Sequence, residues 1–392
     1  MTESSAAAPA RAGTRELSVT LCRDPRQFAG LEEQWNRLLR ACPTATPFQS
    51  HAWLHSWWLS YGKEGRLRIL LVRRGGELVG AAPLMLVHRP LPLLVPLGGE
   101  ITDYCDVLVA AEHADAVVPA LARGLHRAAR GAVVDLREVR PGAAAEDLVR
   151  HWEGVHRTLA DSSCAEFPVL PFDDLVKRMP TAGAQRTRAK VRKIEALGIE
   201  EHPVSEHEVP ATVRTLLDLH EKQWRGRGVT PEHLRPRFAE HLTRATRRMV
   251  RAGDARLTEF RLDGRVVAAN VTLLSAGLSG GYLYGADPEL RARKVDVVTM
   301  LLRHEAQHAH ARGQRVLSLL RGSEPYKNHW RPETVVNQRF LLARSSHLPL
   351  LRLHESQVTG RERAVGALRE ALPAARDWRA RINDWRADGA RR

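Results

Sequence analysis

The sequence is short of the features that would take it out of the globular, intracellular class. Only four cysteines occur in 392 residues. Cys22, Cys42, Cys105 and Cys164 form no C-x-x-C pair, so neither a disulfide framework nor a cysteine zinc site is indicated. No apolar run approaches the roughly 20 residues that a membrane-spanning helix needs. The opening stretch, MTESSAAAPARAG, lacks the apolar core of a signal peptide. Reduced thiols and a cytoplasmic location are therefore expected, with peripheral contact at the inner membrane surface as the nearest variant. Aromatic residues are also scarce, at 5 %, and lysine supplies only seven of the 60 basic residues.

What is present is an ordinary globular balance, 43 % hydrophobic and 27 % charged, which argues against a disordered or collagenous chain. The net charge of +15 can attract phosphates, nucleic acid or an anionic surface. The excess of arginine beside abundant alanine also fits a compositional bias. No basic-plus-aromatic nucleic-acid signature accompanies the charge.

The length predicts two domains. Residues 1–14 are small and polar and are expected to be disordered. A strand and a helix precede FQSHAWLHSWWLSYG, where Trp53, Trp57, Trp58 and Tyr61 follow helical spacing. LRILLV (67–72) and LVGAAPLMLV (78–87) flank a polar turn and read as a hairpin. LLVPLG, a strand at Asp103–Val109, a helix over 114–130 and a strand at 132–137 follow. The same order returns in ARLTEFRLDGRVVAANVTLL, GGYLYG, a helix over 291–311 and a strand at Arg315–Leu320, which predicts an internal duplication. Val335–Ala343 reads as a closing strand. The expected units are 15–165, 166–346 and a basic helical tail, 347–392, with Trp378, Ile382 and Trp385 on one helical face.

The densest motif is VLSLLRGSEPYKNHWRPE, residues 316–333. Arg321 falls at the carboxyl end of an apolar strand, where open α/β sheets place ligands. Glu324, Tyr326, Lys327, His329 and Trp330 crowd the turn beyond it, a concentration of titratable and aromatic groups that suggests a site. The competing reading pairs Arg321 with Glu324 and buries Tyr326 and Trp330 as core. A basic run, QRTRAKVRKIEALG (185–198), is either an anion-binding helix or a solvated face. His220 and Trp224, four residues apart, either line an acceptor cleft, with Trp224 as a stacking platform, or pack in the core.

The 316–333 stretch resembles the L-R-G-x-E-x-Y-K-x-x-W signature of the CelD-like acyltransferases, a bacterial branch of the GNAT superfamily. FQSHAWLHSWWLSYG, DYCDVLV and LHEKQWRGRG resemble further segments of that family in the same order, spanning about residues 45–335. The resemblance implies an α/β fold of tandem GNAT-like (acyl-CoA N-acyltransferase) domains, with mixed central sheets flanked by helices. It implies acyl transfer, with acetyl-CoA as donor, to an amine or hydroxyl of a sugar, polysaccharide precursor or small molecule, in association with envelope-polysaccharide machinery. Tyr326 would be the acid that protonates the departing thiolate and Glu324 the base. Tyr284 and Gly285 would border the acyl group. His220, Trp224, Arg321, Lys327 and Trp330 would meet the acceptor or orient neighbouring charge.

Two features depart from this expectation. The glycine-rich turn that cradles the CoA pyrophosphate in GNAT enzymes is replaced by ADPELRARKVDVVT, so Arg291, Arg293 and Lys294 would have to hold phosphate by side chains. That substitution keeps a Fem-type, aminoacyl-tRNA-dependent transferase as the alternative, along with a non-catalytic scaffold in exopolysaccharide assembly. His304-Glu305-Ala306-Gln307-His308 matches H-E-x-x-H. A zinc site would need a third ligand, and His310 projects to the wrong side of the helix. No metal is expected.

Overall fold

A computed structural model describes residues 16–225, 230–322 and 325–371. The first half runs β1 (Leu17–Cys22), α1 (Pro25–Ala29), α2 (Glu32–Ala41), α3 (His51–Tyr61), β2 (Leu67–Arg74), β3 (Glu77–His88), β4 (Pro92–Pro96), β5 (Leu108–Val109), α4 (Ala114–Ala128), β6 (Val133–Val139), α5 (Ala144–Arg150) and β7 (Val155–Pro168). The second half runs α6 (Phe172–Lys177), α7 (Thr181–Ala196), β8 (Glu200–Pro203), α8 (Val209–Trp224), α9 (Pro236–Ala252), β9 (Ala255–Leu262), β10 (Arg265–Leu274), β11 (Leu278–Ala286), α10 (Pro288–Ala292), α11 (Val297–Ala311), β12 (Val316–Arg321), α12 (Pro325–Asn328), β13 (Glu333–Ala343) and α13 (Leu348–Ala371).

Each half carries a hairpin, a third strand, a helix and a parallel fifth strand, as the duplication predicts. Both hairpins turn on residues with positive φ, Gly75-Gly76 and Asp263-Gly264, the geometry two-residue loops need to match strand twist. One sheet joins the halves in the order β1-β2-β3-β4-β6-β13-β7-β12-β11-β10-β9-β8, with β5 beside β3. The last strands are exchanged: β13 of the second half pairs with β6 of the first, and β7 of the first pairs with β12 of the second. β7 and β13 also pair with each other along most of their lengths. The boundary expected at 165/166 thus falls inside β7.

The tryptophan-rich helix is core. In α3, Trp53 is fully buried, donates its indole N–H to Thr102 Oγ1 at 2.9 Å, and meets His241 of α9 edge-on at 4.6 Å. α3 and α9 thereby lock the two halves together on one face of the sheet.

Two expected elements differ. The strand expected over Asp103–Val109 is reduced to Leu108–Val109. Residues before it bond to other elements instead: Asp106 accepts the first N–H groups of α5 from Ala144 and Ala145 at 3.0 and 2.8 Å, and Tyr104 donates to Glu166 at 2.6 Å. The helix expected over 291–311 is broken into α10 and α11, with Lys294 in the left-handed region between them (φ 57°). α13 supplies the expected helix after residue 347, while Trp378, Ile382 and Trp385 lie outside the described residues. No described helix is long and apolar enough to cross a membrane.

Candidate active site

β11 and β12 pair in parallel only from Leu278–Gly280 to Val316–Ser318. Beyond Gly280 the two strands have no ladder between them, while β11 stays paired with β10 out to Ala286. The result is a splay in the middle of a continuous sheet, and Tyr282 is the extra residue of a bulge at its mouth. The first half repeats the arrangement, since β4 and β6 pair only at Leu93–Val133 and Leu94–Val134. Tyr282 is fixed by donating its hydroxyl to Ile101 O at 3.0 Å and by edge contacts with Trp53 and Phe48.

Arg321 closes the other side of this splay. Its Nε lies 3.0 Å from Asp103 Oδ1 and its Nη1 donates to Glu138 Oε1 at 2.8 Å; a third bond goes to Glu100 O. Asn337 of β13 braces the acids, donating Nδ2 to Glu138 Oε2 at 2.9 Å and to Asp103 O at 3.2 Å. Burial pushes the Asp103 carboxyl up, and Arg321 pulls in the opposite direction. Burial also works against the charge on Arg321, but Asp103 and Glu138 outweigh it and raise its pKa. Arg321 is therefore a fixed cation, and the expected partner Glu324 lies outside the described residues.

A cleft of about 990 Å³ opens here, bordered by Tyr282 and Arg321 on one side and by β3, β4, β6 and α13 on the other. Its walls carry Lys63, Arg66, Arg89, Arg137 and Arg361. Three of its carboxylates are already engaged, Asp103 by Arg321, Asp135 by Arg339 and Glu232 by Arg237. The cleft is consequently positive.

His220 and His233 form a chain behind β11. The Tyr284 carbonyl can only accept, so His220 Nδ1–H donates to it at 2.7 Å. His220 Nε2 then accepts from His233 Nδ1 at 3.2 Å. Burial, with His220 adding to it, pushes His233 down to about 3, and burial lowers His220 as well. Both are neutral at physiological pH, which leaves Nε2 of the cleft-lining His233 without a proton. Trp224 sits beside His220 at 6.2 Å between ring centres. Gly285 has a different reason to be glycine: a Cβ there would stand 2.3 Å from Leu216 O and 2.5 Å from His220 N, so it admits α8 to the sheet. The side chain of Tyr284 packs against an apolar cluster that includes Ile194, Leu290 and Met300.

The start of α11, where a diphosphate was expected, is already capped. Asp296 Oδ1 accepts from Thr299 N at 2.8 Å, and Lys190 of the basic helix α7 donates to Asp296 Oδ2 at 2.6 Å. A carboxylate at this position satisfies one of the free N–H groups and opposes a second anion. Arg293 is held by Glu289 at 2.6 Å, which also binds Arg265; Arg291 and Lys294 are exposed.

Lys327 and Trp330 belong to the framework. Lys327 is 3 % exposed and donates Nζ to the carbonyls of Leu320, Arg321 and Gly322 at 3.4, 3.0 and 3.4 Å, closing the end of β12. Trp330 is 3 % exposed and packs on Phe172 with ring centres 5.9 Å apart. Tyr326 lies in α12, and its side chain is outside the described residues.

Sequence reading missed Asp103, Glu138 and Asn337. Asp103 opens the quoted DYCDVLV segment, and Glu138 occupies the position in β6 that Arg321 occupies in β12, a signal the repeat contains. Glu305 of the H-E-x-x-H motif is also placed unexpectedly, wedged where β11 leaves β12: a Cβ on Gly281 would lie 2.3 Å from its Oε1. Burial raises this carboxyl to about 7, against a hydrogen bond from Asn270.

Residues 182–328 match the family model described as an acetyltransferase (GNAT) domain. No curated protein sequence matches the chain. Among solved structures, FemX is similar at 12 % identity and a TM-score of 0.58, over 82 % of this chain and 98 % of that one. The C-terminal domain of a putative lysylphosphatidylglycerol synthetase from Agrobacterium fabrum follows at 11 % and 0.51, over 84 % and 97 %. L-PGS from Bacillus licheniformis is similar at 12 % and 0.50, over 84 % and 96 %. These likenesses are of fold. The splay repeated in the two halves accords with that fold, and the match to the GNAT domain model lies within the second half.

Proposed function

We propose that the chain transfers an acyl group at the β11/β12 splay to an anionic acceptor bound in the arginine-walled cleft. The observation that carries this reading is the opening of the splay onto the cleft beside Arg321. Past Gly280, the edge of β11 facing β12 has backbone groups outside the ladder, which can polarise an acyl carbonyl. An amine or hydroxyl of the acceptor attacks that carbonyl and the donor's leaving group departs with a proton. Tyr326 is proposed to supply that proton and Glu324 to remove the one on the nucleophile, directly or through water. The positive walls favour an acceptor bearing phosphate or carboxylate, such as a charged sugar precursor.

Acetyl-CoA is the first donor to consider, on the strength of the GNAT domain match. The acid-capped start of α11 favours a second donor, an aminoacyl-tRNA, whose ester needs no diphosphate cradle at that helix. Calorimetric titration with acetyl-CoA tests the first. Saturable binding weakened by Arg291→Ala/Lys294→Ala supports it, and absence of binding removes it. Salt-sensitive binding of aminoacylated tRNA in the same preparation would establish the second.

A further inference from the structure

The H-E-x-x-H helix has a third partner that sequence spacing could not supply. Glu201, on the edge strand β8, brings its carboxylate against both histidines of α11. His304 Nδ1 lies 2.7 Å from Glu201 Oε2 and His308 Nε2 lies 3.7 Å from the same oxygen. One ligand atom from each of the three residues falls within 4.8 Å of the others. We propose that Glu201, His304 and His308 bind a single divalent transition-metal ion, zinc in the first instance, at the junction of β8 and α11.

The donor chemistry fits. Two imidazole nitrogens and one carboxylate form a common zinc set, with bonds of about 2.0–2.2 Å and water completing a tetrahedron. Small movements of Glu201, which is 41 % exposed, would even out the ligand spacing. His304 is anchored from behind: its Nε2 lies 3.3 Å from the hydroxyl of buried Thr258. Once Nδ1 is metallated, Nε2–H donates to that hydroxyl, the outer bond that fixes a ligating ring. His308 Nε2 receives an Arg256 N–H at 3.4 Å. An arginine can only donate, so this nitrogen already presents its lone pair. Arg256 is then the group that an entering ion displaces, and its charge weakens binding.

The site differs from the hydrolytic one that H-E-x-x-H usually signals. Glu305, the residue that would serve as base there, turns to the other flank of α11 and is buried against Gly281 and Asn270. The ion has no carboxylate base beside it in this motif. Its effect is to tie the last strand of the sheet to α11, the helix that also backs the splay.

The test uses the untagged full chain, stripped with chelator and titrated with zinc alone. One equivalent that is lost in His308→Ala and in Glu201→Gln, both with unchanged circular dichroism, is expected. Thr258→Val should weaken binding by about 10–100-fold, whereas Arg256→Ala should strengthen it. Cobalt(II) in place of zinc should give the intense visible bands of tetrahedral coordination. No saturable binding, or an equivalent unaffected by both His308→Ala and Glu201→Gln, overturns the proposal.

Discussion

Glu138 and Arg321 stand at the same position in the two repeats and form an ion pair with each other, Nη1 to Oε1 at 2.8 Å. Each is the sixth residue from the point where its strand begins parallel pairing, at Val133 in β6 and Val316 in β12. The pair bridges equivalent strands of the two halves, and Asn337 of the exchanged strand β13 donates to the same Glu138 carboxylate. Glu138 is 2 % exposed, so removing its partner leaves a buried anion.

Arg321→Ala is accordingly expected to cost about 3–5 kcal/mol in stability as well as activity, the usual penalty for breaking a buried pair from one side. The double variant Glu138→Gln/Arg321→Gln should recover part of the loss in denaturant midpoint without recovering turnover. Equal stability for Arg321→Ala and the parent chain would show that the pair does not hold the splay.

Gly285→Ala should separate packing from chemistry. The added Cβ meets backbone atoms of α8, Leu216 O and His220 N, which cannot swing aside as a side-chain end can. A destabilisation of about 1–3 kcal/mol is expected from such overpacking. The shift of α8 should also lengthen the His220–Tyr284 bond. A melting curve matching that of the parent would contradict the close approach.

How far these features could be read in advance depended on whether they were local. The hairpins, the central helices and the duplication are written in short-range periodicity and in turns such as Asp263-Gly264. The strand exchange is not, because β13 is equally apolar whether it pairs with β12 or with β6. Lys327 and Trp330 sit in a motif dense with reactive groups, and only their surroundings show that one closes β12 and the other packs on Phe172. Glu201 lies 103 residues before His304, a separation at which spacing carries no information. The acid cap at Asp296 was within reach, since Asp immediately before a helical run is an ordinary N-cap signal.

Acid should loosen α13 through Asp135. Burial alone would raise this carboxyl, but hydrogen bonds from His354 of α13 and Arg339 of β13 hold it down at about 2. The folded value lies below the unfolded one, so its contribution is complete above about pH 4 and disappears as the pH falls toward 2. The shift corresponds to about 2 kcal/mol. Asp135→Asn should flatten the stability profile between pH 4 and pH 2 and expose α13 to proteolysis at neutral pH. An unchanged profile would assign the acid sensitivity elsewhere.

Adjacent residues in α12 should give opposite phenotypes. Lys327→Met removes a buried ammonium from three carbonyls at the end of β12, leaving acceptors without a donor, and should cost about 1–3 kcal/mol. At a temperature where it remains folded, its turnover should stay close to that of the parent. Tyr326→Phe should leave the melting temperature in place and lower turnover by about 10²–10⁴-fold, the range for losing a positioned acid. Transfer assays and melting curves on the two variants, run on one preparation, decide the assignment. If Tyr326→Phe turns over normally, the proton on the leaving group comes from a different group, and Nε2 of His233 could deliver it only after taking one up, against the burial that keeps it neutral.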